Sequence, residues 1–125
     1  MKTVMFALVT LSLSASASVA AEPAKVAEAG GAKVYTDAKG MTLYTFDKDA
    51  AGKTNCYDKC AVNWPPFAAA ADAKSDGEWT VVERKDGSKM WAYEDKPLYT
   101  FIGDKKPGDT AGDGKMGVWH IAKPD

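Results

Sequence analysis

The chain repeats a phrase. Leu43-Tyr44-Thr45-Phe46-Asp47-Lys48-Asp49 returns as Leu98-Tyr99-Thr100-Phe101-Ile102-Gly103-Asp104, so both copies read Leu-Tyr-Thr-Phe-x-x-Asp. The same ungapped spacing, 55 positions, relates Tyr44 to Tyr99 and Trp64 to Trp119. Each copy is therefore a strand phrase, a glycine-bearing loop and a closing Trp, and any fold for this chain must accommodate a duplicated unit. Within each phrase, period-two geometry puts Tyr44 and Phe46 on one strand face and Leu43 and Thr45 on the other, with Tyr99 and Phe101 repeating the pattern. Trp119 and Ile121 share a face opposite Val118 and His120 by the same rule.

The phrase resembles a bacterial secreted-repeat family, also described as lipoproteins with a Tyr-x-(Phe/Trp/Tyr)-x-x-Asp motif. Two further stretches carry the resemblance: Cys56-Tyr57-Asp58-Lys59-Cys60-Ala61-Val62-Asn63-Trp64-Pro65-Pro66 after the first copy and Gly117-Val118-Trp119-His120 after the second. It implies an exported protein of tandem repeats and assigns no reaction. The N-terminus agrees with export. Met1-Lys2 is a short positive start, Val4 to Leu13 is apolar, and Ser18-Val19-Ala20-Ala21 supplies small residues, so residues 1–21 read as a signal peptide. The apolar run is shorter than the roughly twenty residues a membrane span needs. No Cys follows the cleavage positions, unlike the lipoprotein members, and the expectation is a soluble periplasmic or secreted protein.

Alternation and turn chemistry predict a mainly β, single small domain of two pseudo-repeated β units, with one short helical turn near the Cys pair over 55–62. Residues 22–32 read as a flexible leader and 33–125 as the tandem-repeat domain, with repeat one at about 33–67, a hairpin insert at about 77–93 and repeat two at about 90–122. Strand 33–36 is expected to pair with 41–46 across the Asp37-Ala38-Lys39-Gly40 turn, and 78–84 with 89–93 across Asp86-Gly87. Pro65 and Pro66 end the helical piece, and Ala68 to Ala73 is expected to form a further helical turn.

The aromatic set Tyr44, Phe46, Trp64, Tyr99, Phe101 and Trp119 has two readings. Large rings supply much of the core of a small domain, or the two copies form an aromatic-lined groove for a flat or sugar-like ligand. Asp49 and Asp104 also have two. They could meet as an acid and base pair, or each could accept backbone N–H bonds where a strand enters a loop, which is the commoner use of such an Asp. The stretch Gly103 to Gly114 lacks the alternating acids and terminal Glu of a calcium loop and reads as an ordered solvent loop.

Cys56 and Cys60, the only cysteines of an exported chain, are expected to form a disulfide. Copper held by Cys56, Cys60 and the single histidine, His120, with Met90 or Met116 as soft donors, is the alternative, followed by a cycling thiol pair. No Cys-x-x-Cys-His is present for covalent haem, no Gly-x-Ser-x-Gly for a hydrolase, and no catalytic residue is assigned. Net charge is −1 with lysines dispersed among acids, so no basic stripe marks a nucleic-acid partner. The sequence thus points to a noncatalytic binding or envelope-interaction module. Its partner would be a small ligand or an envelope protein, with a copper or thiol-redox accessory role second.

Overall fold

The structure, a computed structural model, describes residues 22–125; the expected signal peptide lies outside the described residues. The chain forms β1 (Lys25–Ala29), β2 (Ala32–Thr36), β3 (Tyr44–Phe46), α1 (Lys59–Asn63), β4 (Ala68–Ala69), β5 (Trp79–Glu83), β6 (Lys89–Tyr93), β7 (Lys96–Pro97), a 3-10 turn (Lys115–Gly117) and β8 (Trp119–Ile121). It is a mainly β domain with little helix, as expected.

The two copies exchange strands. β8, which closes the second copy, pairs antiparallel with β3, the phrase strand of the first, in the register Tyr44↔Ile121, Thr45↔His120 and Phe46↔Trp119. The corresponding stretch of the first copy, Trp64 to Pro66, lies along the second phrase, where Pro66 bridges Tyr99, Thr100 N–H donates to the Pro65 carbonyl at 2.9 Å, and Ile102 N–H to Asn63. Pro65 and Pro66 have no N–H, which is why this side is a set of isolated bridges rather than a full ladder. Between them the phrases pair directly: Tyr44 N–H donates to the Tyr99 carbonyl at 2.7 Å and Tyr99 N–H to the Tyr44 carbonyl at 3.0 Å. Equivalent bonds run from Phe67 to Leu98 and from Ala122 to Leu43, both 2.8 Å. A pseudo-twofold axis therefore passes between Tyr44 and Tyr99.

Both faces of the paired phrases are covered. Tyr44, Tyr99, Trp64 and Trp119 share one core with Cys56, Val82, Met90 and Ala92, while Leu43 and Leu98 enter a second with Tyr35, Trp79, Tyr93 and Ala122. The alternation of Leu and Tyr in the phrase feeds two cores from one strand.

Several expectations need correction. The segment expected as a flexible leader holds β1, which pairs with β2 along its whole length, from Lys25↔Thr36 to Ala29↔Ala32, across Gly30-Gly31. The polar, Ala-rich composition of β1 reflects its position as an exposed outer strand. The hairpin of β5 and β6 is no insert. It stands in the second copy where β1 and β2 stand in the first, and its register, Trp79↔Tyr93 to Glu83↔Lys89, is the equivalent ladder. Only part of the expected 33–46 hairpin forms, as a Thr36↔Thr42 bridge and a Leu43 N–H to Tyr35 carbonyl bond, because on that edge of β2 the Tyr35 N–H donates to the Ala122 carbonyl at 2.9 Å instead. The helical turn starts at Lys59, and Ala68–Ala69 is the strand β4 on β6, extended by the prolines before it.

Candidate functional site

Phrase side chains act across the copies. The Tyr44 hydroxyl donates to Asp104 Oδ2 at 2.7 Å, and the Tyr99 hydroxyl to Asp49 Oδ2 at 2.6 Å, so the tyrosine of each copy binds the aspartate of the other. The second carboxylate oxygens fix loops: Asp49 Oδ1 accepts Asn55 N–H at 2.7 Å and Asp104 Oδ1 accepts Ala111 N–H at 2.8 Å. The two acids are not an acid and base pair; each has its own tyrosine and its own loop to hold. Burial, reinforced by the adjacent carboxylate, holds both tyrosine hydroxyls protonated far above the ordinary tyrosine range. Burial also pushes the Asp49 carboxyl up, opposed by the bonds from Tyr99 and Asn55 and by the Arg84 charge.

The closing tryptophans meet at the axis. Trp64 and Trp119 stack with centroids 3.7 Å apart and planes 4° from parallel. Phe101 of the second copy stacks on Trp64 and Phe46 of the first on Trp119, each at 4.2 Å. Tyr44 meets the edge of Trp64 and Tyr99 that of Trp119, both at 5.3 Å. Phe101, Trp64, Trp119 and Phe46 thus form one column of four rings, alternating between copies. Its centre is buried and its terminal phenylalanines are half-buried, so these aromatics are core at the middle and surface at the ends. Gly112 makes room for it, since a Cβ there would lie 2.6 Å from the Trp64 ring.

Cys56 and Cys60 are joined as a disulfide, Cys56 fully buried and Cys60 half-buried at the start of α1. Beside them stands Arg84, the chain's one arginine. Its guanidinium donates to the Cys56 carbonyl at 2.8 Å and to Thr54 Oγ1 at 3.4 Å, and lies 4.5 Å over the Tyr57 ring. Thr54 in turn is 2.6 Å from the Tyr99 hydroxyl. A relay from Arg84 through Thr54 and Tyr99 to Asp49 therefore ties the disulfide loop to the phrase. Sequence reasoning passed over Arg84; a lone arginine among many lysines is the signal that could have found it, since only its planar fork satisfies several acceptors from a buried position.

Of the copper set, the two sulfurs are bonded to each other. His120 Nε2 lies 2.7 Å from Asp47 Oδ2 at the surface. Met90 is buried against Arg84, and Met116 is exposed on the 3-10 turn. In the Gly103–Gly114 loop, Asp109 Oδ2 accepts the N–H groups of Lys105 and Lys106, so this acid caps a turn.

A groove of about 520 Å³ is walled by residues 45–47 and 49–51 of the first copy, the β6–β7 turn over 93–97, and residues 120–123 with Asp125. Glu94 and Asp95 hold that turn with positive φ, 50° and 64°, and the neighbouring Asp125 carboxyl pushes Glu94 up.

A duplicated, strand-exchanged, disulfide-bearing β unit is a repeat-protein architecture. The family described as a secreted repeat of unknown function matches residues 25–68 and 80–123, and the chain belongs to that family. The two matched segments begin at β1 and at β5, which places the second hairpin inside repeat two. Neither a curated protein nor a solved structure matches the chain. Among the described residues no helix is long and apolar enough to cross a membrane.

Proposed function

We propose that this protein is a noncatalytic binding or envelope-interaction module of the periplasm, and that its binding surface is the groove beside the β6–β7 turn. The observation carrying this reading is the engagement of the phrase acids and hydroxyls. Tyr44, Asp49, Tyr99 and Asp104, the side chains most suited to proton transfer, are bonded to each other across the repeats, with hydroxyl pKa values far from a working range. The groove has the volume of an ordinary small-ligand site and mixes apolar walls with a few polar groups. Titrating the mature, isotope-labelled protein with a periplasmic small-molecule extract tests it. Shifts confined to residues 45–51, 93–97 and 120–123 are expected; chemical conversion of an added compound, or shifts centred elsewhere, contradict the reading.

A thiol-redox or copper accessory role is the second reading, favoured by a disulfide that joins the non-helical segment at Cys56 to the first turn of α1 through a half-buried Cys60. Copper binding needs the bridge reduced, because the thiolate and not the disulfide is the ligand. Metal analysis of reduced and oxidised protein distinguishes the two: a stoichiometric, thiol-dependent copper ion lost in His120→Ala favours this role over the first.

A further inference from the structure

The two copies close the same turn by different means. Cys60 N–H donates to the Tyr57 carbonyl at 3.1 Å, and 55 positions on, Lys115 N–H donates to the Gly112 carbonyl at 3.2 Å. The first turn carries the Cys56–Cys60 bridge, whereas the matching positions are Ala111 and Lys115, so the fold closes this turn without a disulfide. The bridged copy also holds its backbone in a strained shape. Asp58, inside the bridged loop, has φ 53° and ψ −121°, a region that L side chains rarely occupy, while the matching Asp113 has no positive φ. The bridge is therefore more than the fold requires.

Beside the bridge lies a buried charge without a counter-ion. Arg84 is 6% exposed, and its guanidinium donates to the Cys56 carbonyl, to Thr54 and to the Met90 sulfur. Its charge is felt at Asp49 and Asp86, yet among the described residues no carboxylate lies within ion-pair distance of it. A buried arginine is ordinarily paired. The position matching Arg84 is Ala29, so this cation too belongs to one copy alone. Lys85 adds a second positive group, its Nζ 4.8 Å over the ring of Tyr57 in the bridged loop, against the exposed Asp58 carboxylate. The two cysteines differ in access: Cys56 is fully buried, while Cys60 is half-buried in the first turn of α1, a helix without a buried residue.

We propose that the bridge is a thiol–disulfide exchange centre that takes electrons from a dithiol, with Cys60 the sulfur attacked and Cys56 the leaving sulfur, its charge countered by Arg84. This rests on the thiol-redox reading above and assigns its reaction partner and the order of its steps. A partner thiolate bonds to Cys60 Sγ, the bond between the two cysteines breaks, and its electron pair goes to Cys56 Sγ. The Cys56 thiolate then supplies the counter-charge that Arg84 lacks, on the residue whose carbonyl the guanidinium already holds. The partner's second thiol, once deprotonated, attacks the partner's own sulfur in the mixed disulfide and releases Cys60. The partner is thereby oxidised to a disulfide and the bridge is reduced by two electrons; of the two thiol protons, Cys60 takes one and solvent the other. A monothiol has no such second step. Cys56, four positions from Cys60, re-forms the bridge and expels the monothiol before another arrives. A free dithiol and a protein dithiol both present the required chemistry.

The test follows opening of the bridge in the folded, oxidised mature chain by alkylation and mass spectrometry, with dithiothreitol, reduced thioredoxin and glutathione at equal thiol concentration. At least one dithiol is expected to open it more than about tenfold faster than glutathione. Dithiothreitol alone identifies a free dithiol, and thioredoxin, with or without it, a protein dithiol. In single variants, Cys60 of Cys56→Ser is expected to react with an aromatic disulfide reagent about tenfold or more faster than Cys56 of Cys60→Ser. Arg84→Gln is expected to slow opening by about tenfold and Arg84→Lys, which keeps the charge, to restore most of the rate. The cysteine comparison keeps Arg84 in place and decides the case whether or not Arg84→Gln folds. Glutathione as fast as the dithiols, faster reaction at Cys56 than at Cys60, or an unchanged rate in a folded Arg84→Gln variant overturns this inference while leaving a redox bridge. A bridge that no dithiol opens until the protein unfolds is a structural staple, and it defeats both this inference and the thiol-redox reading.

Discussion

Each phrase tyrosine carries two loads, a ring packed edge-on against a tryptophan and a hydroxyl bonded to a carboxylate of the other copy. Removing only the hydroxyl isolates the second. Tyr44→Phe and Tyr99→Phe each leave a carboxylate without its partner, and chemical denaturation is expected to show a loss of about 1 to 3 kcal/mol for each. Asp49→Asn is expected to cost a similar amount, since its single amide oxygen can accept from Tyr99 or from Asn55 N–H but not from both. The same burial makes an alkaline prediction. Both hydroxyls have folded-state pKa values raised above the unfolded value of 10.0, so the folded state keeps protons that the unfolded state releases. Stability from these groups is present in full below pH 10 and is lost as pH rises beyond it. Phenolate absorbance should show Tyr44 and Tyr99 ionising together with unfolding. Their independent titration in the folded protein near the ordinary value contradicts this placement.

At the scale of elements, the disulfide and the column are the parts most open to test. Cys56 and Cys60 are four positions apart, and closing so short a loop removes unfolded-state entropy worth roughly 2 kcal/mol. The double change to Ser is expected to lower stability by about that amount or less, with near-ultraviolet circular dichroism of the tryptophans unchanged, because Arg84 still ties the segment to Thr54 and Tyr99. Gly112→Ala puts a methyl group into the Trp64 ring and is expected to cost about 1 to 3 kcal/mol and to alter that same signal. The sequence made local features legible. The phrase alternation predicted which side chains share a face, Asp-Gly located the β5–β6 turn, and the presence of just two cysteines, close together in an exported chain, predicted their bond. It did not show that β1 is a strand, because an outer strand with both faces in solvent has no apolar alternation to read. Nor did it show that the second hairpin belongs to repeat two. The phrase and closing Trp repeat clearly, while β1 and β5 share little beyond position.

For the whole molecule, the main fact is that neither copy completes itself. β3 is paired by β8, the second phrase by Trp64 to Pro66, and the ring column alternates between copies from end to end. This exchange was not legible in the sequence, because repetition shows that two units are alike and is silent on which supplies the partner of which. The groove escaped for the same reason: residues 45–47, 49–51, 93–97 and 120–123 with Asp125 meet only once the copies are interleaved. Exchange also limits where function can reside. Residues on the axis hold the halves together, and the sides, where the copies have diverged, are free to differ.

Double-mutant cycles on the four phrase residues test this exchange most directly. For each pairing of Tyr44→Phe or Tyr99→Phe with Asp49→Ala or Asp104→Ala, the coupling is read from denaturant unfolding of the two single variants and the double variant. Cross-copy pairs, Tyr44 with Asp104 and Tyr99 with Asp49, are predicted to couple by about 1 kcal/mol or more, and the within-copy pairs, Tyr44 with Asp49 and Tyr99 with Asp104, by a few tenths at most. Strong coupling within each copy and none across would contradict the interleaved fold.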